Sequence, residues 1–131
     1  MRNLRITGGQ VLRGGKLEAG DVAIAGGIIA DPSGPPPAAR TLDARGWLVL
    51  PGIVDLHGDA FERQLQPRPG VNFPASLALA DTERQLLANG ITTAYHGVTL
   101  SWEPGLRGLQ TWQALTDALF ARDWDLSLIH I

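Results

Sequence analysis

The sequence predicts a two-part chain, a β-rich N-terminal stretch followed by repeating β/α units, and three observations carry that prediction. The 16 glycines and 9 prolines concentrate before residue 75, where they punctuate short apolar runs in the manner of strands and turns. After Pro74 longer segments with helical spacing begin. Between the two lies Leu48-Val49-Leu50-Pro51-Gly52-Ile53-Val54-Asp55-Leu56-His57-Gly58-Asp59, an apolar run that turns polar only at its end. Such a run suits a strand buried on both faces, as in a parallel sheet covered by helices.

The totals narrow the class. A chain of 131 residues is long enough for a real core. Its 44% hydrophobic and 18% charged content excludes a disordered chain. A net charge of −2 gives no general electrostatic reason to bind nucleic acid or an acidic membrane. No apolar run is long enough to span a bilayer, and Met1-Arg2-Asn3-Leu4-Arg5-Ile6 has no apolar core of a signal peptide behind its charges. The absence of cysteine excludes disulfides and cysteine-based zinc sites. The expectation is a soluble cytoplasmic enzyme or binding domain.

Taken in order, Leu4-Arg5-Ile6-Thr7 and Gln10-Val11-Leu12 read as one strand interrupted by a glycine break or bulge at Gly8-Gly9. Residues 21–25 and 28–31 flank Gly26-Gly27, which supplies the positive φ angles of a two-residue hairpin turn. Pro32 to Pro37 is too rich in proline for a ladder and predicts a surface loop. Thr41-Leu42-Asp43-Ala44 is a further short strand, so the first fifty residues predict several antiparallel strands of a small sheet. Asp21, Asp31 and Asp43 sit beside turns and are expected to be solvated or to cap them.

After the central run, Arg63 to Phe73 reads as a loop. A helix is expected from about Pro74 to Asn89, with Pro74 in the first turn, its leucines on a buried side and Gly90 as the stop. Residues 91–97, rich in β-branched side chains, form the next strand. Ser101 to Gly108 is turn-rich, with Trp102 expected to pack the loop and Glu103 to be solvated. A second helix spans roughly Leu109 to Arg122 and buries Leu109, Trp112, Leu115, Leu119 and Phe120. Strand, helix, strand, helix implies parallel pairing, and residues 125–131 have the character of a third strand.

Asp55, His57 and Asp59 carry the chemistry of the central run. In an extended strand their spacing sends all three to one side, at the strand end where barrel enzymes place their active sites. Imidazole and carboxylate are good ligands for a divalent cation. Spacing alone leaves open a metal site or a structural hydrogen-bonded pair, and Asp55, lying deeper, is read as structural support.

The strings Leu50-Pro51-Gly52-Ile53-Val54-Asp55-Leu56-His57, His57 to Gln64, Pro67-Arg68-Pro69-Gly70, Gly90 to Thr99 and Ser101 to Gly105 together resemble the amidohydrolase superfamily. The resemblance implies part of a β-sandwich over residues 1–50, then the first two β/α units of a metal-dependent (β/α)8 barrel over residues 51–125. Most of the superfamily carries His-x-His on the first barrel strand, whereas this chain has His57-Gly58-Asp59. That form resembles a branch acting on a phosphorylated sugar phosphonate in the carbon–phosphorus lyase pathway. A complete barrel needs roughly 200 to 250 residues, so the chain is expected to be an N-terminal fragment with little activity of its own. Residues 126–131, His130 among them, do not resemble the family's continuation and are expected to be a foreign tail.

The resemblance implies a hydrolase that releases diphosphate from a ribose phosphonate triphosphate, with a divalent metal cation held partly by His57 and Asp59. His96, at the end of the second strand, is a candidate substrate contact, though a plain strand-end histidine fits as well. Glu62 is read as a support for a ligand or a partner for Arg63. A triphosphate needs cations, which nominates Arg63, Arg68 and Arg107 in the loops after the two strands. Other phosphonate-pathway enzymes are expected as neighbours, nucleic acid and membranes are not. Two alternatives remain: an amidohydrolase acting on the carbon–nitrogen bonds of a cyclic amide or base, and a non-catalytic β-rich binding module.

Overall fold

Two glycine pairs set the topology of the N-terminal strands. Gly14 and Gly15 (φ 53° and 82°) and Gly26 and Gly27 (φ 60° and 86°) each place two successive residues in the left-handed region, where glycine alone carries no steric cost. They link β1 (Leu4–Arg13), β2 (Lys16–Ala25) and β3 (Ile28–Ala30) into an antiparallel meander. The second turn and the irregularity between Ile6 and Gly9 are as the sequence predicts. The first hairpin is not foreseen, because Lys16-Leu17-Glu18-Ala19 has no β-branched or aromatic residue to advertise a strand.

The computed structural model describes residues 3–34, 40–121 and 127–130, so Pro35 to Pro37 of the expected loop lie outside the described residues. The chain divides into two compact units, residues 1–51 and 52–131. In the first, β4 (Arg40–Asp43) and β5 (Leu48–Val49) pair with β1 in parallel, not antiparallel as expected. A parallel partner requires the chain to return to the end where β1 begins, and a connection as long as the one from Ala30 to Arg40 allows that return. The central apolar run is not one strand. Leu50-Pro51-Gly52 separates β5 from β6 (Ile53–Gly58), which lies in a different sheet, and Pro51 has no N–H to give a ladder.

The second unit continues with α1 (Phe61–Leu65), α2 (Ala75–Ala88), β7 (Ile91–His96), α3 (Leu109–Phe120) and β8 (Ser127–His130). β6, β7 and β8 form a parallel sheet in that order. Helix α2 begins after Pro74 and ends at Gly90 (φ 78°), as expected. Helix α1 is not foreseen. It is a single short turn, and Ala60 before it supplies no side-chain cap. Arg122, the expected end of α3, lies outside the described residues, as do Asp125, Leu126 and Ile131.

The core of this unit is built from helices. Phe61 and Leu65 of α1, Ala78 and Leu79 of α2, and Leu115 and Leu119 of α3 form one buried cluster, and Leu86 packs with Ala94 of β7. The expected burial of Leu109, Trp112 and Phe120 is corrected: Leu109 and Phe120 are exposed and Trp112 is only partly covered, because the buried stripe of α3 is a single i, i+4 step. On α2, Leu87 is likewise partly exposed, and Thr82 and Glu83 are buried instead. The expectation that the central strand is buried on both faces is also corrected. Ile53, Val54 and Leu56 of β6 are 55%, 52% and 70% exposed, since β6 is the sheet edge and α2, which packs mainly on α3 and α1, meets the sheet at β7. Among the described residues no helix is long and apolar enough to cross a membrane.

Leu79→Ala removes the centre of the main cluster. Its expected cost is about 2–5 kcal/mol, measured as a lowered midpoint in urea. In the first unit the Asp21 carboxylate accepts from Gly8 N–H (3.1 Å) and from Arg5 (3.1 and 3.3 Å), which hold it below its ordinary value of 3.8. A depressed carboxylate stabilises the fold above its unfolded value, and that stabilisation is lost as pH falls through the folded one. Melting temperature is therefore expected to fall as pH drops below 3.8, and Asp21→Asn is expected to flatten that acid limb.

Candidate functional site

The candidate site lies where β6 and β7 end side by side. Gly97 N–H donates to the Gly58 carbonyl (3.0 Å), and Gly58 pairs with His96 in the parallel register. The register slips between Asp55 and Gly58, where β6 spends one residue more than β7. An extra residue of this kind re-aims side chains at a strand end. The strict alternation that put Asp55, His57 and Asp59 on one side therefore does not carry through His57.

Each group has a definite setting. The partly buried Asp55 carboxylate accepts the His57 backbone N–H (3.1 Å), tying the strand back on itself at the slip. His57 is exposed and lies over Gly97, whose missing Cβ would meet the imidazole at 3.5 Å. His96 is only 1% exposed, with Phe61 edge-on to its ring at 5.2 Å between centroids. Gly58 separates the two polar groups: a Cβ there would stand 3.1 Å from Asp55 Oδ2 and 3.3 Å from His96 Nδ1. Asp59 has left the strand and opens α1, its carbonyl accepting Glu62 N–H (3.0 Å).

The nominated arginines are not gathered into one cluster. Arg107 grips Glu62 with both arms of its fork, Nε to Oε1 at 3.1 Å and Nη2 to Oε2 at 3.0 Å. The Glu62 hydrogen bonds, its charge and the nearby Asp59 charge raise the Arg107 pKa above its ordinary value. Glu62 thus pairs with Arg107, not Arg63. Arg63 lines a groove with Phe73, Leu77, Asp81 and Arg84 on the helical side. Arg68 is exposed in the loop that Val71 N–H closes onto its carbonyl. His130 belongs to β8. Sequence reading missed Gly58 as the space-maker of the site, Gly97 as the residue beneath His57 and Phe61 as the wall behind His96. The one available signal was that each nominated histidine is followed by a glycine.

Whether these residues fit a divalent cation can be tested on the donors themselves. An exposed imidazole and an exposed carboxylate at a strand end suit one in kind, but no group of three metal-binding side chains comes together among the described residues. His57 and Asp59 are therefore a partial donor set.

No protein-family profile matches the chain. Solved structures resemble it, among them the following two. A crystal structure of an uncharacterized protein matches 98% of the chain and 31% of its own length at TM-score 0.54 and 20% identity, a likeness of fold. The formyltransferase/hydrolase complex from Methylorubrum extorquens matches 72% of the chain and 20% of its own at TM-score 0.50 and 27% identity. The curated relatives are hydrolytic enzymes of the amidohydrolase superfamily, and that superfamily is thereby supported for this chain.

Three of them are particular enzymes. The alpha-D-ribose 1-methylphosphonate 5-triphosphate diphosphatase of Escherichia coli is 36% identical over 61 residues, 47% of the chain. The allantoinase of Rubrobacter xylanophilus is 46% identical over 57 residues, 42% of the chain. An adenine deaminase of Listeria monocytogenes is 31% identical over 93 residues, 70% of the chain. The matched regions are 16%, 12% and 14% of these relatives' own lengths.

Gly58→Ala tests the geometry of the strand ends. The added methyl group meets Asp55 Oδ2 and His96 Nδ1 at distances that force both to give. The expected result is a loss of about 1–3 kcal/mol with displaced His96 ring signals in the NMR spectrum. Gly34→Ala, in an open turn whose nearest neighbour is the Asp31 carbonyl oxygen at 3.5 Å, is the control and is expected to do neither.

Proposed function

We propose that these residues form the N-terminal part of a metal-dependent hydrolase that releases diphosphate from alpha-D-ribose 1-methylphosphonate 5-triphosphate, the activity residing in an enzyme of the relatives' full length. The observation that carries the reading is His57-Gly58-Asp59 at the end of β6, together with the likeness to the Escherichia coli diphosphatase. His57 and Asp59 would hold the metal, which when bound lowers the pKa of a water and polarises a phosphoryl oxygen. Asp55 fixes the backbone of His57 through its N–H, so the imidazole is presented from a constrained turn. His96 is held by burial against Phe61 beside Gly58, a wall to the site from the second strand. Arg107 is paired with Glu62 and adds positive charge near Asp59. Arg63 and Arg68 remain candidates for the distal phosphates, and the phosphorylated sugar phosphonate is the small-molecule partner.

A second reading, hydrolysis of carbon–nitrogen bonds in a cyclic amide or base, is favoured by the higher identity to the allantoinase and the longer match to the adenine deaminase. Assay of the full-length enzyme for diphosphate release against ring opening of a cyclic amide and ammonia release from a base separates the two. Diphosphate release from the sugar phosphonate triphosphate is expected, and ammonia release from adenine without it would overturn the reading. Asp59→Ala is expected to lower both bound metal and turnover by at least about tenfold, and unchanged values for both would remove Asp59 from the site.

A further inference from the structure

Trp102 does not pack its loop, as the sequence suggested. It is 92% exposed, and it borders two grooves at once. One, of about 670 Å³, is lined also by Thr99, Leu100, Glu103 and Arg107; the other, of about 620 Å³, includes Leu109, Gln110 and Thr111. Leaving an indole in water forgoes a large burial free energy. A loose loop would let it fold back onto the exposed Leu100 or Leu109, but this loop is tied at several points. Ser101 N–H donates to the Arg107 carbonyl (2.7 Å), Gly108 N–H to the Gly105 carbonyl (3.0 Å), and Thr111 Oγ1 to the Gly105 carbonyl (2.7 Å). The fork of Arg107 on Glu62 then fastens the whole loop to α1, which follows directly from Asp59.

The polar rim of the first groove indicates the ligand. The Arg107 fork is engaged by Glu62, so the groove is not primarily a phosphate cradle. Glu103, Thr99 and Ser101 offer a carboxylate and hydroxyls, which accept from and donate to the hydroxyls of a sugar. An aromatic plate under the apolar face of a ring, with polar groups at its edge, is the general form of such a site. We propose that Trp102 is a binding platform for the pentose of a phosphorylated sugar, held in place by the loop from Thr99 to Gly108, with Glu103 taking sugar hydroxyls. The choice of a sugar over a base rests on the diphosphatase reading; the platform itself does not.

The test is an NMR titration of the intact chain, following the Trp102 indole N–H, assigned by its loss in Trp102→Phe, together with the backbone amides of Thr99, Ser101 and Glu103, which remain to be read in Trp102→Ala. The probes are D-ribose 5-phosphate, adenosine and inorganic phosphate. The expected result is a saturable shift of that signal with ribose 5-phosphate and none with phosphate. Trp102→Ala is expected to weaken binding by about tenfold or more without changing the melting temperature, because the side chain is exposed. Glu103→Gln is expected to weaken it less. Ribose 5-phosphate shifts that persist unchanged in Trp102→Ala would overturn the platform while leaving the diphosphatase reading standing. A saturable response to adenosine alone would overturn the sugar assignment and count against that reading too. No response to any probe at millimolar concentration would overturn the proposal.

Discussion

The structure of the second unit depends on the parallel pairing of β6 and β7 at their C-terminal ends, where Gly97 N–H meets the Gly58 carbonyl. Parallel strands need a crossover between them, and residues 61–88 supply it as α1 and α2. That crossover creates the helical core of Phe61, Leu65, Ala78 and Leu79. The same pairing brings two histidines distant in sequence to adjacent positions. His57 and His96 are neighbours because of a backbone register, not because of any attraction between them.

Glycine makes that register usable. Gly58 leaves room between Asp55 and His96, while Gly97 lies at ordinary contact distance beneath His57. Asp55 and His96 approach one another across Gly58 with very little side-chain volume between them. A hydrolase needs polar atoms close to one another and to the substrate, and small residues at the crowded points allow it. The Arg107–Glu62 pair serves a different purpose. It joins the loop after β7 to the helix after β6, so the two segments rimming the site are held by a charge-assisted fork.

Much of this was legible in the sequence. The glycine pairs announced one hairpin and the bulge in β1, and Pro74, the leucine spacing and Gly90 bounded α2 closely. The β-branched run from Ile91 gave β7. What failed did so for identifiable reasons. The run from Leu48 to Gly58 looked like one buried strand because hydrophobicity does not show that Pro51 divides it between two sheets. Alternation placed Asp55, His57 and Asp59 together, and a one-residue register slip, which leaves no mark in composition, broke it. Helical spacing nominated Leu109, Trp112 and Phe120 for the core, but spacing cannot say how far along a helix its neighbour extends. Arg107 carries the charge a phosphate needs, yet its partner Glu62 lies 45 positions away in sequence, where no local pattern could reveal it.

The central claim is that the ends of β6 and β7 form one polar centre around His57. Titration of the labelled chain with Mn2+ tests it most directly, because paramagnetic broadening falls steeply with distance from the ion. The account predicts that the His57 ring and the amides of Gly58, Asp59 and Gly97 broaden first and together. Broadening that leaves His57 and Gly97 sharp while acting on residues elsewhere would contradict it.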